Sequence, residues 1–222
     1  MICEITQINR AEALRYMGYK ETPDERISAV IDECERELLK VARPQFVWKV
    51  FNIVRVDGGM YFAECDFDLE GQDIAEHLKG CDKAAVLCCT LSSDVDRYLK
   101  KLDVSDSMKA VISDALANAM VEQVVELARR SVKETMVGYS TTWCFGTGYG
   151  DFPIETSAML IASVDAVRKI GVCSTATHML TPKKTIVGII GLSRGELDRK
   201  HRNCEDCSMK ATCEFKAYGL RC

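Results

Sequence analysis

The 222-residue sequence has few of the features that mark specialised classes of protein. Only four of its residues are proline, it has no low-complexity segment, and 47% of its residues are hydrophobic. A chain of this composition can bury a full core in one or two compact domains. No segment approaches eighteen uninterrupted apolar residues, the length that a membrane-spanning helix requires. The sequence therefore predicts a globular protein that does not enter a membrane.

An excess of positive charge is also missing. The chain has 29 lysine and arginine residues against 33 aspartate and glutamate residues, a formal net charge of -4. Because no basic field attracts a phosphate backbone, nucleic-acid binding is not expected. Glu4 and Arg10 stand where a signal peptide needs an apolar run. We therefore expect a cytoplasmic protein whose twelve cysteines are thiols or metal ligands rather than disulfides.

Hydrophobic periodicity and turn residues predict an alternation of helices and strands. Helices are predicted over residues 9–18, 22–42, 72–79, 106–134 and 155–169, the second with Thr22 as N-cap and Pro23 at its first helical position. Strands are predicted over residues 46–56 and 60–67, joined by a hairpin turn at residues 57–59, and over residues 84–91 with Cys88 and Cys89 as inert core thiols. A second hairpin is predicted from strands 173–180 and 185–192, with His178 as an ordinary strand histidine.

Polar side chains recur every four residues along the longest predicted helix. Asp114, Asn118, Glu122 and Glu126 lie on one face at this spacing. One interpretation is a solvated helix face, the usual role of such a stripe. The alternative is a row of carboxylates that a rigid helix holds in place to receive a cation.

A glycine-rich segment with interleaved aromatic residues follows that helix. Gly146, Gly148 and Gly150 alternate with aromatic residues between positions 143 and 152. Glycine allows the backbone to approach a flat ligand, and aromatic rings offer it a stacking surface. An ordinary surface loop has the same composition. A dinucleotide-binding loop is excluded, because such a loop follows a hydrophobic strand and opens a helix, whereas this one leads into Asp151 and Pro153.

The last nineteen residues contain four of the twelve cysteines in a charged segment. Cys204, Cys207, Cys213 and Cys222 have the spacing C-x2-C-x5-C-x8-C. A C-x-x-C pair presents two thiolates to one ion, and two further thiolates complete a shell for zinc or for an iron-sulfur cluster. Unligated thiols or two disulfides remain the alternatives. We expect residues 1–198 to form one domain and residues 199–222 a cysteine-rich tail.

Three stretches of the sequence together resemble a known family. Residues 146–193, with Gly148-Tyr149 and the later run from Ser174 through Met179 to Pro182, resemble the activation domain of cobalamin-dependent methionine synthase. That family has an R-x-x-P-G-Y segment followed by T-E-S-x-x-M-x-P. The helix around residue 114 resembles the family's D-x-L-x-E-A-x-x-x-E helix, and the stretch before it resembles stand-alone members, so that the similarity covers most residues from about 66 to 193.

The resemblance implies an α+β fold, a curved antiparallel sheet with flanking helices. It implies that the protein supports the reductive reactivation of cobalamin on a methionine synthase or a corrinoid methyltransferase, with S-adenosylmethionine as ligand and a flavodoxin- or ferredoxin-like electron donor. The residues that it aligns with ligand-binding positions, or places beside them, are Asp114, Asn118, Glu122, Cys144, Gly146, Gly148, Tyr149 and Gly150. The acidic face and the aromatic loop would then serve one ligand.

Three positions depart from the family's pattern. The family's arginine falls on Cys144, its proline on Thr147 and its helix glutamate on Asn118. Cysteine cannot replace a guanidinium as a bidentate partner of a carboxylate. Two alternatives therefore stand beside reactivation: a non-catalytic docking module for a corrinoid protein, and an electron relay through an iron-sulfur cluster in the cysteine tail.

Overall fold

The computed structural model describes residues 1–19, 21–57, 59–65, 67–197 and 211. Its helices and strands follow one another in this order: α1 (Arg10–Tyr16), α2 (Glu25–Val41), β1 (Gln45–Val56), β2 (Gly59–Phe62), α3 (Gln72–His77), β3 (Lys83–Thr90), α4 (Ser93–Ser105), α5 (Ser107–Thr135), β4 (Ser140–Thr141), β5 (Phe145–Gly146), α6 (Thr156–Ser163), α7 (Ala166–Ile170), β6 (Cys173–Ser174), β7 (Leu180–Thr181) and β8 (Thr185–Ser193). Within the described residues, no helix is long and apolar enough to cross a membrane.

The main sheet has the strand order β2–β1–β3–β8–β4, and β5 also pairs with β8. The pairs β1/β2, β4/β8 and β5/β8 are antiparallel. Strand β3 is the most buried, because every residue from Ala84 to Thr90 is inaccessible to solvent. The predicted α+β class, an antiparallel sheet with flanking helices, is confirmed.

The chain divides into two compact units, each assembled from three segments. The first unit consists of Met1–Val47, Cys88–Ala128 and Asp165–Ile186, and the second consists of Trp48–Leu87, Arg129–Val164 and the described residues from Val187 onward.

The first half of the chain follows the sequence prediction closely. Val56 lies opposite Gly59 in the antiparallel pair of β1 and β2, as the predicted hairpin requires. Helix α2 begins later than predicted, because Asp24 rather than Thr22 is its N-cap and accepts a 2.8 Å hydrogen bond from the amide of Ile27. Strand β2 ends at Phe62, five residues before its predicted end.

Three predictions for the second half are wrong. The single helix predicted over residues 155–169 is broken into α6 and α7, because Asp165 adopts a left-handed conformation with φ of 58°. The hairpin predicted between residues 173–180 and 185–192 does not form. Instead β6 and β7 pair with each other, and β8 pairs within the main sheet. His178 lies in the turn between β6 and β7 with φ of 61°, not in a strand.

Candidate functional site

The acidic face predicted on α5 is present, and a lysine of the chain itself contacts it. In the first unit, the ammonium of Lys184 lies 2.7 Å from Oδ1 of Asp114 and donates a 2.7 Å hydrogen bond to Oδ1 of Asn118. Asn118 in turn donates to Oδ2 of Asp114 over 3.3 Å. Glu122 is half-buried further along the same helix. The oxygens of Asp114 and Asn118 therefore already hold a cation.

The burial of Lys184 shows that this contact is part of the fold. The lysine side chain is 12% exposed, whereas that of Asp114 is 53% exposed. An ammonium that loses this much water needs hydrogen-bonding partners, which are supplied by the carboxylate and the amide oxygen. The sequence carries no local signal for the contact, because Lys184 is 66 residues from Asn118 and stands in what the sequence pattern presents as a turn.

The glycine-rich segment of the second unit contributes to a cluster of rings. This aromatic cluster consists of His77, Trp143, Phe145, Tyr149 and Phe152. Phe145 is the central ring. Its centroid lies 5.1 Å from that of Trp143, 5.1 Å from that of Tyr149, 4.9 Å from that of His77 and 6.1 Å from that of Phe152. Phe145 and Phe152 are buried, whereas the other three rings are half-buried. The partly exposed rings can receive a flat group by stacking or edge contact.

His77 is the member of the aromatic cluster that the sequence did not indicate. It is the last residue of α3, 66 positions before Trp143, and its ring lies 4.7 Å from the indole at 69°. Its Nε2 is 2.8 Å from Oγ1 of Thr142, which also accepts a 2.8 Å hydrogen bond from the amide of Gly191. The backbone of Thr142 donates to the carbonyl of Gly191 over 3.0 Å. The hydrogen bond to Thr142 therefore holds the imidazole beside the segment between β4 and β5, which contains Trp143.

Two aspartates attach the glycine-rich segment to the start of α3. The carboxylate of Asp151 accepts hydrogen bonds of 2.7 Å and 3.0 Å from the backbone amides of Gln72 and Asp73. In return, the carboxylate of Asp73 accepts a 3.3 Å hydrogen bond from the backbone amide of Asp151. The N-cap of α3 is Gly71, which has no side chain to satisfy these amides. Asp151 therefore caps the helix from 78 residues away. The reciprocal contact fixes the loop relative to His77.

Replacing Gly150 by alanine is expected to disrupt this attachment. Gly150 has φ of +55°, and an added Cβ would overlap the carboxylate of Asp73. Because Asp73 can move only by losing the amide of Asp151, we expect a loss of about 2 kcal/mol in the free energy of unfolding. Urea denaturation measures it. Gly148→Ala is the matched control, since Gly148 has φ of +79° but only carbons of Ile154 at 3.8 Å. Equal losses in the two variants would contradict the contact with Asp73.

The remaining predicted residues of this segment have structural surroundings of their own. Cys144 is 5% exposed and faces Gly188, where a Cβ would lie 2.6 Å from its sulfur. Gly146 lies opposite Gly188 in the β5/β8 pair, and Gly148 and Gly150 have positive φ. The structure therefore brings the predicted loop residues together around the aromatic cluster, with the Cys144 thiol in the core.

Metal binding remains a prediction. Cys204, Cys207, Cys213 and Cys222 lie outside the described residues, and within those residues no group of three or more His, Cys, Asp or Glu side chains is placed to hold a metal ion. The eight described cysteines are free thiols. Burial raises the pKa of Cys88 to about 12, which agrees with the inert role predicted for it.

Comparisons with known proteins identify the fold. No protein-family model matches the chain, and no curated protein matches it. Among solved structures, the chain is similar to the crystal structure of the MetH reactivation domain bound to AdoHcy (S-adenosylhomocysteine), with a TM-score of 0.66 and 11% sequence identity. The alignment covers 100% of this chain and 85% of that chain. The protein therefore has the fold of the MetH reactivation domain, the domain of cobalamin-dependent methionine synthase that its sequence resembles.

Proposed function

We propose that this protein docks on a cobalamin-binding methionine synthase, or on another corrinoid methyltransferase, and supports the return of its oxidised cobalt to the active state. The observation that carries the proposal is the structural similarity over the whole chain to a domain named for reactivation. At 11% identity that similarity concerns the fold alone. The function therefore rests on the fold together with the sequence resemblance.

The proposed ligand is an S-adenosyl nucleoside, S-adenosylmethionine in the reactivation itself. The structural neighbour is bound to AdoHcy. In this chain the aromatic cluster offers partly exposed rings for a nucleobase. Separately, the acidic face of α5 offers Asp114 and Glu122 to a cationic group. Each surface is proposed on its own contacts and can be tested on its own.

The proposed partners follow from the chemistry of the reaction. Reductive methylation needs one electron and one methyl group. We assign the electron to a flavodoxin- or ferredoxin-like donor, and the methyl group to the sulfonium of S-adenosylmethionine. The corrinoid belongs to the partner protein. A cytoplasmic location is part of this proposal, because the eight described cysteines are all free thiols.

A specific observation favours a second function, docking without use of S-adenosylmethionine. Lys184 already neutralises Asp114, and the buried Cys144 stands where the family's arginine is expected. A module of this kind would hold a corrinoid protein near its electron donor without binding S-adenosylmethionine.

The deciding experiment follows the cobalt of a partner by absorption spectroscopy. A cobalamin protein in its oxidised state is mixed with a reduced flavodoxin and S-adenosylmethionine, with and without this protein. We expect complex formation in a pull-down and a return of the methylated spectrum at least tenfold faster in its presence. Omission of S-adenosylmethionine should abolish that return.

The outcomes separate the candidate functions. A complex without any gain in rate would establish the docking module and overturn reactivation, and the absence of a complex would overturn both. Iron and zinc analysis of the same protein, with dithionite bleaching, tests the predicted role of Cys204, Cys207, Cys213 and Cys222. Colourless, metal-free protein would overturn the electron relay.

A further inference from the structure

The contacts of Lys184 carry an inference about ligand choice that rests on the proposed function. We propose that Lys184 is a built-in competitor for the cationic group of an S-adenosyl ligand. By occupying the acidic face of α5 with its own ammonium, it makes the protein favour a neutral thioether nucleoside over the sulfonium of S-adenosylmethionine. Lys184 is on this account a specificity-determining residue.

The backbone of Lys184 is held in place, so that only its side chain can yield to a ligand. The amide of Leu91 donates a 3.1 Å hydrogen bond to the carbonyl of Lys184, and the hydroxyl of Thr90 lies 3.5 Å from the same oxygen. The next residue, Thr185, donates to the Thr90 hydroxyl over 2.9 Å in a buried contact. Lys184 directly precedes β8, and these backbone contacts fix the position from which its ammonium reaches the polar face of α5.

The same contacts set the charge that an arriving ligand meets. Asp114 and Lys184 carry opposite charges and sum to zero, and the carbonyl oxygen of Asn118 already accepts from the ammonium. A sulfonium placed beside Asp114 meets a carboxylate that is already paired, and it is repelled by the neighbouring ammonium of Lys184. A neutral thioether sulfur meets neither penalty. The two ligands differ in this charge and in one methyl group, so their affinity ratio reports on Lys184.

The orientation of Asn118 strengthens the effect. Its amide nitrogen donates to Asp114 while its oxygen accepts from Lys184, so the three side chains form a closed hydrogen-bonded group. A cation that displaces the ammonium must break two contacts of Lys184 and leave a largely buried ammonium without partners. Removing the ammonium by substitution eliminates that cost and leaves Asp114 without its cationic partner, which should favour a cation.

Calorimetry with S-adenosylmethionine and with AdoHcy tests the proposal on the isolated protein. We expect the wild-type protein to bind AdoHcy at least ten times more tightly than S-adenosylmethionine. Lys184→Met should tighten S-adenosylmethionine binding enough to reduce that ratio at least tenfold. Lys184→Arg keeps the charge and should keep the preference. Lys183→Met is the matched control, because Lys183 is exposed and its backbone amide, which bonds to Asp96 at 2.9 Å, is retained.

Each result decides the proposal. A wild-type ratio near one, or an unchanged ratio in Lys184→Met, overturns it, and so does an equal change in Lys183→Met. If Lys184→Met does not fold, Asn118→Asp replaces it. The added carboxylate should strengthen S-adenosylmethionine binding relative to AdoHcy, and no change overturns the inference. Absence of binding by either ligand also overturns it, whereas the proposed function is decided separately by the cobalt of the partner.

Discussion

Replacing Gly188 by alanine is expected to lower the free energy of unfolding by about 3 kcal/mol, because the added methyl group has no space. Gly188 lies in β8, where an added Cβ would be 2.6 Å from the sulfur of Cys144 and 2.7 Å from the carbonyl oxygen of Phe145. The carbonyl belongs to β5 and cannot retreat without disturbing the pairing of Phe145 with Ile189. Denaturation in urea, followed by circular dichroism, measures the loss.

Gly146→Ala is the control for this prediction. Gly146 lies directly opposite Gly188 in the β5/β8 pair, but its added Cβ would be 3.6 Å from the carbonyl oxygen of Val187, an ordinary van der Waals separation. The change at Gly146 should cost at most about 1 kcal/mol. A loss as large as that of Gly188→Ala would contradict the proposed cause.

The double variant Gly188→Ala with Cys144→Ala separates the two clashes. Removal of the sulfur should restore part of the lost stability and leave the part that is due to the carbonyl of Phe145. Gly188→Ala should also disturb the aromatic cluster, because the displaced Phe145 is the central ring of that cluster. We therefore expect a change in the fluorescence of Trp143, one of two tryptophans in the chain, in Gly188→Ala but not in Gly146→Ala.

Elements that depend on neighbouring residues could be predicted from the sequence. The turn between β1 and β2 was indicated by two adjacent glycines, and α5 was indicated by a long apolar periodicity with its polar stripe. The break between α6 and α7 could not be predicted. It depends on a left-handed Asp165 within an otherwise helical pattern. The place of β8 in the main sheet could not be predicted either. The residue pattern of an apolar strand is the same whether the strand pairs with a neighbour in sequence or with a distant strand.

The candidate site divides in the same way. The residue types of the loop and the acidic face were visible as local patterns, whereas the contacts that give them meaning join distant parts of the chain. His77 reaches Trp143 and Lys184 reaches Asn118 across 66 residues each. A half-buried histidine and a lysine before a strand look ordinary in sequence, since only the fold decides what lies opposite them. The sequence offers two interpretations of the polar face of α5, a solvated face or a site for a cation, and it does not indicate that Lys184 of the same chain contacts that face.

The second large effect is expected from the loss of Glu35. This carboxylate is 7% exposed and accepts hydrogen bonds from the amide of Ile8 at 2.9 Å and from Nε of Arg10 at 2.7 Å. Its pairing raises the pKa of Arg10 above its usual value, with Glu35 as the largest cause. Glu35→Ala removes the acceptor from a buried amide and the main partner of a guanidinium, which together should cost about 3 kcal/mol of the free energy of unfolding.

Two further variants identify which contact of Glu35 matters. Asp32 pairs with Arg10 at 2.6 Å, but its side chain is 47% exposed, so Asp32→Asn should cost no more than about 1 kcal/mol. Glu35→Gln keeps an oxygen for the amide of Ile8 and removes the charge opposite Arg10. Its loss should therefore fall between those of Glu35→Ala and Asp32→Asn. Equal midpoints of urea denaturation for Glu35→Ala and Asp32→Asn would contradict the larger contribution that we assign to the buried contacts of Glu35.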